Sequence, residues 1–208
     1  MTNEQLQTVY TAVFTIMIEH WTVFSRFPTD VETLCFELGI ELCPLSTITE
    51  STGLTDIEVF EIWGNEDGVL MQYNGTPKIA YNDLKPRQRI RFTIAEEITH
   101  YILGHADDPR FNIFSQQYDS GTYSLYEESG RAGAGIILCQ PQYFFQHPEH
   151  FNTLALSSLC DVSWGCAEVR CDVFRRFRFS ITSNPLYGKL PHPWVSQAQI
   201  ARIIRFAI

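Results

Sequence analysis

Between Ile90 and His105 the chain reads IRFTIAEEITHYILGH, a stretch that sets Glu96, Glu97 and His100 close together in a strongly apolar helix. Helical periodicity puts Glu96 and His100 four residues apart on one face, one turn above the other, with Glu97 beside them. Ile90, Ile94, Ile98, Tyr101 and Ile102 supply apolar surface around the three. A carboxylate buried without a partner is too costly to keep. A fold built on this helix must therefore turn these groups to water or bring a compensating partner to them. Taken alone, the exposed arrangement is the plainer reading, because a Glu–His pair at this spacing on a helix surface contributes only roughly a few tenths of a kcal/mol.

The remaining composition suits one sizeable core. A chain of 208 residues with 45% hydrophobic content can bury such a core with a small appended subdomain. The early apolar run Ala12–Ile18 follows no basic segment, is interrupted by Glu19 and His20, and is shorter than the roughly 20 residues a bilayer span needs. Neither an export signal nor a membrane span is read, and cytoplasmic residence is the expectation. Cys35, Cys43, Cys139, Cys160, Cys166 and Cys171 are then reduced, small core residues, and the spacing of the last three fits no zinc-ribbon pattern. The net charge of −9 is uneven: residues 1–150 hold 21 acidic and 8 basic side chains, residues 151–208 hold 3 and 7. An acidic majority argues against nucleic-acid binding over the whole surface. Arg170, Arg175, Arg176, Arg178, Arg202 and Arg205 leave a local basic patch open, with solvated helix-face arginines the favoured reading.

Leu6, Val9, Tyr10, Val13, Phe14 and Met17 recur at three- and four-residue steps and predict a first helix, ending near Trp21 to Phe24 and packed on the main domain. Thr29 or Asp30 caps a second helix through Val31, Leu34, Cys35 and Leu38, stopped by Gly39. Ile57–Trp63 alternates in part, Asp67-Gly68 and Asn74-Gly75 are turn dipeptides, and Val69–Tyr73 and Lys78–Tyr81 are rich in β-formers, together predicting an antiparallel meander. Pro86 opens the long central helix and Leu103-Gly104 closes it. Further helices are predicted over about Thr122–Cys139, stopped by Pro141, then over Leu154–Cys160 and Ser163–Phe177, and finally through Ile200, Ile203 and Ile204. Trp164, Cys166, Val169 and Phe174 read as core. The expected class is α+β, with a small antiparallel sheet packed on helices, a motif-bearing central helix and a helical C-terminal part, organised as 1–30, 31–150 and 151–208.

Glu96-Glu97-Ile98-Thr99-His100 differs from the zinc-protease helix H-E-x-x-H only in its first letter. Other phrases accompany it in order: Ile79-Ala80-Tyr81-Asn82, then Arg89 through His105, then Glu128 thirteen residues before the Pro141 that closes an apolar run, then Val162-Ser163 through Arg170. This series resembles the ImmA/IrrE metallo-endopeptidase family, gluzincin-like proteases often found beside repressors of phage and mobile elements, over residues 30–178. The resemblance implies a zincin-like core. It makes His100 and Glu128 metal ligands and Glu97 the general base that activates water. Glu96 stands where the first histidine ligand belongs, Thr99 where glycine is usual, and Ala132 and Ala134 where asparagine and phenylalanine are common.

The cofactor implied is one divalent metal, zinc by resemblance, held by Glu96, His100 and Glu128. Two carboxylates with one imidazole form a harder set that admits manganese or iron, or leaves the site without metal, and a less electrophilic ion slows or abolishes peptide hydrolysis. Crowding of Glu96, Glu97 and Glu128 raises at least one carboxyl pKa. Tyr101 and His105 are further candidates for oxyanion or outer-sphere roles, with a helix-end position favoured for His105. Three functions follow. The first is a metal-dependent endopeptidase acting on a protein or peptide strand laid along the meander edge, with a transcriptional repressor or other regulatory protein as substrate. The second is a degenerate relative that binds or senses a protein without cutting it. The third is a helix-turn-helix-like nucleic-acid contact through residues 159–178.

Overall fold

The computed structural model describes residues 1–105 and 120–206. Helix α1 (Asn3–Glu19) precedes α2 (Val31–Glu37), strand β1 (Glu41–Pro44), helices α3 (Leu45–Thr52) and α4 (Asp56–Trp63), the hairpin of β2 (Gly68–Tyr73) and β3 (Thr76–Tyr81), and the long helix α5 (Arg87–Ile102). Beyond residue 119 come α6 (Ser120–Cys139), α7 (Pro141–Gln146), α8 (Thr153–Cys160), α9 (Trp164–Arg176), α10 (Arg178–Thr182) and α11 (Gln197–Phe206). The class is α+β. None of the described helices is long and apolar enough to cross a membrane. Two compact units are present, Val31–Ala134 and Met1–Asp30 together with Gly135–Ile208.

In the unit Val31–Ala134 the sheet order is β1-β3-β2. Strands β2 and β3 pair antiparallel around Asn74 and Gly75, both at positive φ, the conformation a two-residue primed hairpin turn requires. Strand β1 pairs parallel to β3, with Glu41 opposite Lys78 and their side chains 2.8 Å apart. The sheet is therefore mixed, a correction to the antiparallel meander. Ile57–Trp63 is a further correction, because it is helical. Thr55 and Glu58 form a reciprocal capping box and Gly64 closes the helix in the left-handed region, so cap chemistry overrides the partial alternation. Val59 and Trp63, four apart, turn inward against Leu45, Val69 and Ala80.

The Tyr81-Asn82 phrase and the start of α5 grip the same turn. The Asn82 amide donates to the Glu66 carbonyl at 2.9 Å, and Arg89 donates to both carboxylate oxygens of Asp67, at 2.9 and 2.6 Å. These bonds fix where α5 starts relative to β2. Gly68 allows the two to close up: a Cβ there would lie 2.7 Å from the Ala80 carbonyl oxygen and 2.8 Å from Thr93 Cγ2.

In the unit of Met1–Asp30 with Gly135–Ile208, α1 presents Leu6, Val9, Tyr10, Val13, Phe14 and Met17 to the interior as its periodicity predicts, and it packs against α10. Helices α8 and α9 meet at Asp161, which takes a left-handed conformation, and Ser163 caps α9. Phe174 is buried and Cys166 half-buried, but Trp164 and Val169 are 57% and 51% exposed, which corrects their assignment to the core. Arg170 is not a solvated arginine either: it is buried against the bare backbone of Gly135. Arg175, Arg176, Arg178 and Arg202 are exposed, while the side chains of Ile204 and Arg205 lie outside the described residues. Gly68→Ala is expected to destabilise the protein by about 1–3 kcal/mol through overpacking against a backbone oxygen, read as a lower denaturant midpoint.

Candidate functional site

Helix α5 turns Glu96, Glu97 and His100 toward β2 and α6, and each finds a partner within the protein. The Glu97 carboxylate accepts the backbone N–H of Leu70 at 2.8 Å. Leu70 lies on β2, an edge strand, and an N–H that reaches Glu97 is one that the β2–β3 ladder leaves unused. Alternation turns Gly68 the same way. There the Asn65 side chain accepts the Gly68 N–H at 2.9 Å and donates to the Gly68 carbonyl at 3.0 Å. The outward groups at the start of β2 are thus closed by side chains of the protein itself.

His100 is buried, and its Nδ1 lies 2.8 Å from Nδ1 of His105. His105 is itself buried and stacks on Tyr126 of α6, ring centroids 4.0 Å apart, rather than facing water at the helix end. The other side of the His100 ring meets α6 at Gly130, where a Cβ would fall 2.5 Å from Nε2 and 3.2 Å from Glu96 Cγ. One turn along, the Thr99 side chain fills the space above Gly133. The α6 glycines therefore mark the line along which the two helices approach.

Those glycines also decide which α6 carboxylate reaches the site. At roughly 100° of rotation per residue, Tyr126 shares the glycine face, Glu127 flanks it, and Glu128 points nearly opposite. Glu128 is exposed. The negative charge of Glu127 reaches both Glu96 and Glu97. Arg131 answers it, donating to Glu127 at 2.8 Å and placing its Nε 3.4 Å from Glu96 Oε1. Glu96 Oε1 is buried and accepts no hydrogen bond among the described residues.

Burial, reinforced by the charge of Glu127 and opposed by Arg131 and Arg89, pushes the Glu96 carboxyl up to about 7. Burial and the charge of Glu96 hold Glu97 well above the usual carboxylate range against the Leu70 hydrogen bond. Burial, then His105 and Arg131, push His100 down to about 3, so its imidazole is neutral. Crowded carboxyls were expected, with Glu127 in the place given to Glu128.

Residues 49–129, which contain these groups except Gly130, Arg131 and Gly133, match the family model described as the IrrE N-terminal-like domain, Peptidase_M78. The chain carries an ImmA/IrrE-type, metallopeptidase-like domain. No curated protein matches it. The IrrE-like domain implies a divalent metal and a protein substrate. The donors on α5 and α6 do not fit that metal as they stand. Among the described residues, the only group of three or more possible ligands with atoms mutually within 4.8 Å lies elsewhere, and it contains none of Glu96, Glu97, His100 or Glu128. The cation beside Glu96 and Glu127 is a guanidinium.

Sequence reasoning missed Glu127, Arg131, the His100–His105 pair and the Leu70 N–H. The signal for the first two lay in Gly130 and Gly133, whose spacing sets the rotation of α6.

The Glu96 shift has a pH signature. The unfolded chain releases this proton near 4.5 while the folded domain keeps it until about 7, so the stability it carries is complete below 4.5 and gone above 7. His100 runs the other way, its contribution present above 6.5 and lost as pH falls toward 3. Glu96→Gln removes the first slope together with the part of the Glu97 shift that the Glu96 charge supplies, and leaves the His100 slope in place. The variant is expected to gain on the order of 2 kcal/mol relative to the natural protein between pH 5 and pH 8, measured by paired thermal melts; a constant difference across that range refutes the assignment.

Proposed function

We propose that this protein is a metallopeptidase-like protein-binding or sensing module, descended from an endopeptidase site that no longer hydrolyses. One observation carries the reading: the Glu97 carboxylate, which the family resemblance makes the general base, is bonded to the β2 edge at Leu70. A base must reach the proton it removes. A partner strand adding to β2 would take the Leu70 N–H for its own ladder and displace Glu97, so engagement of a peptide and release of the carboxylate are coupled. Nothing in that exchange requires bond cleavage. Arg131 supports the same reading, since it already supplies positive charge at Glu96 and Glu127.

The resemblance favours a regulatory protein, such as a transcriptional repressor, as the partner. The six free cysteines suit the cytoplasmic residence expected from the sequence. A second reading, an active endopeptidase with the metal at Glu96, His100 and Glu128, is favoured by one feature, the orphaned Glu96 Oε1, since a buried carboxylate oxygen without a donor suits a cation. A nucleic-acid role for residues 159–178 has less behind it, because Arg170, its central cation, is buried.

Metal analysis separates the first two. Protein purified without added metal is expected to hold no transition ion that depends on Glu96 or His100, and to leave an unstructured protein substrate uncut. Glu96→His, which restores the imidazole, is expected to gain such binding. Proteolysis by the natural protein that disappears in Glu97→Gln would overturn the proposal.

A further inference from the structure

A second set of metal-ligand side chains stands apart from α5, in the segment joining α7 to α8. Pro148–His150 forms a single 3-10 turn, entered through His147 with Pro148 at its first position. The turn is closed by His150 N–H to the His147 carbonyl at 2.9 Å and by Phe151 N–H to the Pro148 carbonyl at 3.1 Å. Residues three apart eclipse in a 3-10 turn. His147 and His150 accordingly stack, ring centroids 5.8 Å apart and 26° between planes. Glu149 reaches back to His147, its Oε1 3.3 Å from His147 Nδ1. One ligand atom from each of the three lies within 4.8 Å of the other two.

Two further observations separate this cluster from a chance surface grouping. A tetrahedral ion with bonds of about 2.0–2.1 Å holds neighbouring ligand atoms roughly 3.3–3.4 Å apart, the separation already present between His147 and Glu149. His150 is also oriented from behind. The Tyr143 hydroxyl lies 2.8 Å from His150 Nδ1, and Tyr143 is buried edge-on against Phe27 and Phe144. A metal-binding imidazole commonly has its other nitrogen fixed in this way. With Nδ1 carrying the proton toward Tyr143, the lone pair sits on Nε2.

We propose that His147, Glu149 and His150 form a metal site for one first-row transition dication, zinc before others, with water completing the shell. Two imidazoles and one carboxylate with an open position suit zinc, nickel or copper and exclude calcium and magnesium, which take oxygen ligands. The ligands are partly exposed, His147 at 45% and Glu149 at 60% of their side chains, so the ion exchanges with solution. Binding would stiffen the turn ahead of α8, whose first turn is capped by Asn152.

The test is calorimetric titration of the full chain with zinc in a buffer that does not chelate it, repeated with magnesium. One equivalent of zinc and no magnesium is expected. His147→Ala should abolish that equivalent, Glu149→Gln should weaken it roughly tenfold or more, and Glu96→Gln should leave it unchanged. Glu149→Gln keeps the shape of an exposed side chain, so it stands as the test if His147→Ala lowers the melting temperature. No zinc uptake by the natural protein, or uptake unchanged in both His147→Ala and Glu149→Gln, overturns the proposal. Uptake lost in Glu96→Gln but kept in His147→Ala also overturns it, by placing the ion on α5.

Discussion

The bond from the Leu70 N–H to the Glu97 carboxylate joins two parts of the Val31–Ala134 unit, the edge of the sheet and the charged helix. An edge strand exposes backbone groups that invite another chain, and proteins close such edges with their own side chains. Here Asn65 closes Gly68 and Glu97 closes Leu70. For this to work α5 must lie close and in one register. The bidentate Arg89–Asp67 pair, the Asn82–Glu66 bond and the bare Cα of Gly68 provide that. Without them Glu97 would be a half-buried carboxylate with two negative neighbours and no donor.

The same closeness sets the electrostatics. Glu96, Glu97 and Glu127 cannot all hold charge in one poorly solvated place, and the raised Glu96 and Glu97 carboxyls express that conflict. Two remedies are open to such a cluster, a proton or a cation. Arg131 supplies part of the second, but its side chain is 60% exposed, so its charge is largely screened and Glu96 stays near neutrality in its titration. The carboxylate at position 96 is thus central to this conflict. It adds a negative charge where the partner groups were already acidic.

Much of this architecture was legible in the sequence. Apolar periodicity located α1, Pro86 and Leu103-Gly104 bounded α5, turn dipeptides located the β2–β3 hairpin, and Ser163 and Gly39 marked helix ends. Strand β1 was not legible, because four residues ending in proline carry no period and its pairing with β3 is a tertiary fact. Helix α4 was misread although Thr55-x-x-Glu58 announces a capping box, which shows that cap chemistry outweighs partial alternation over so short a window. At the site, the motif singled out Glu97 and His100 as candidates. Their partners were hidden, since a backbone N–H from β2 and a histidine five residues on have no one-dimensional signature.

The α5–α6 contact shows why positions near a motif must be read as pairs. Threonine at 99 on a helix face that meets another helix demands room, and α6 supplies it with Gly133, as it supplies room for His100 with Gly130. Each glycine in a helix costs roughly 1 kcal/mol relative to alanine. Two on one face are retained at that cost because a Cβ at either would strike the ring or the side chain opposite. The register they enforce then rotates Glu127 toward Glu96 and turns Glu128 to solvent. Glu96, Thr99, the α6 glycines and the choice of carboxylate are therefore one packing solution.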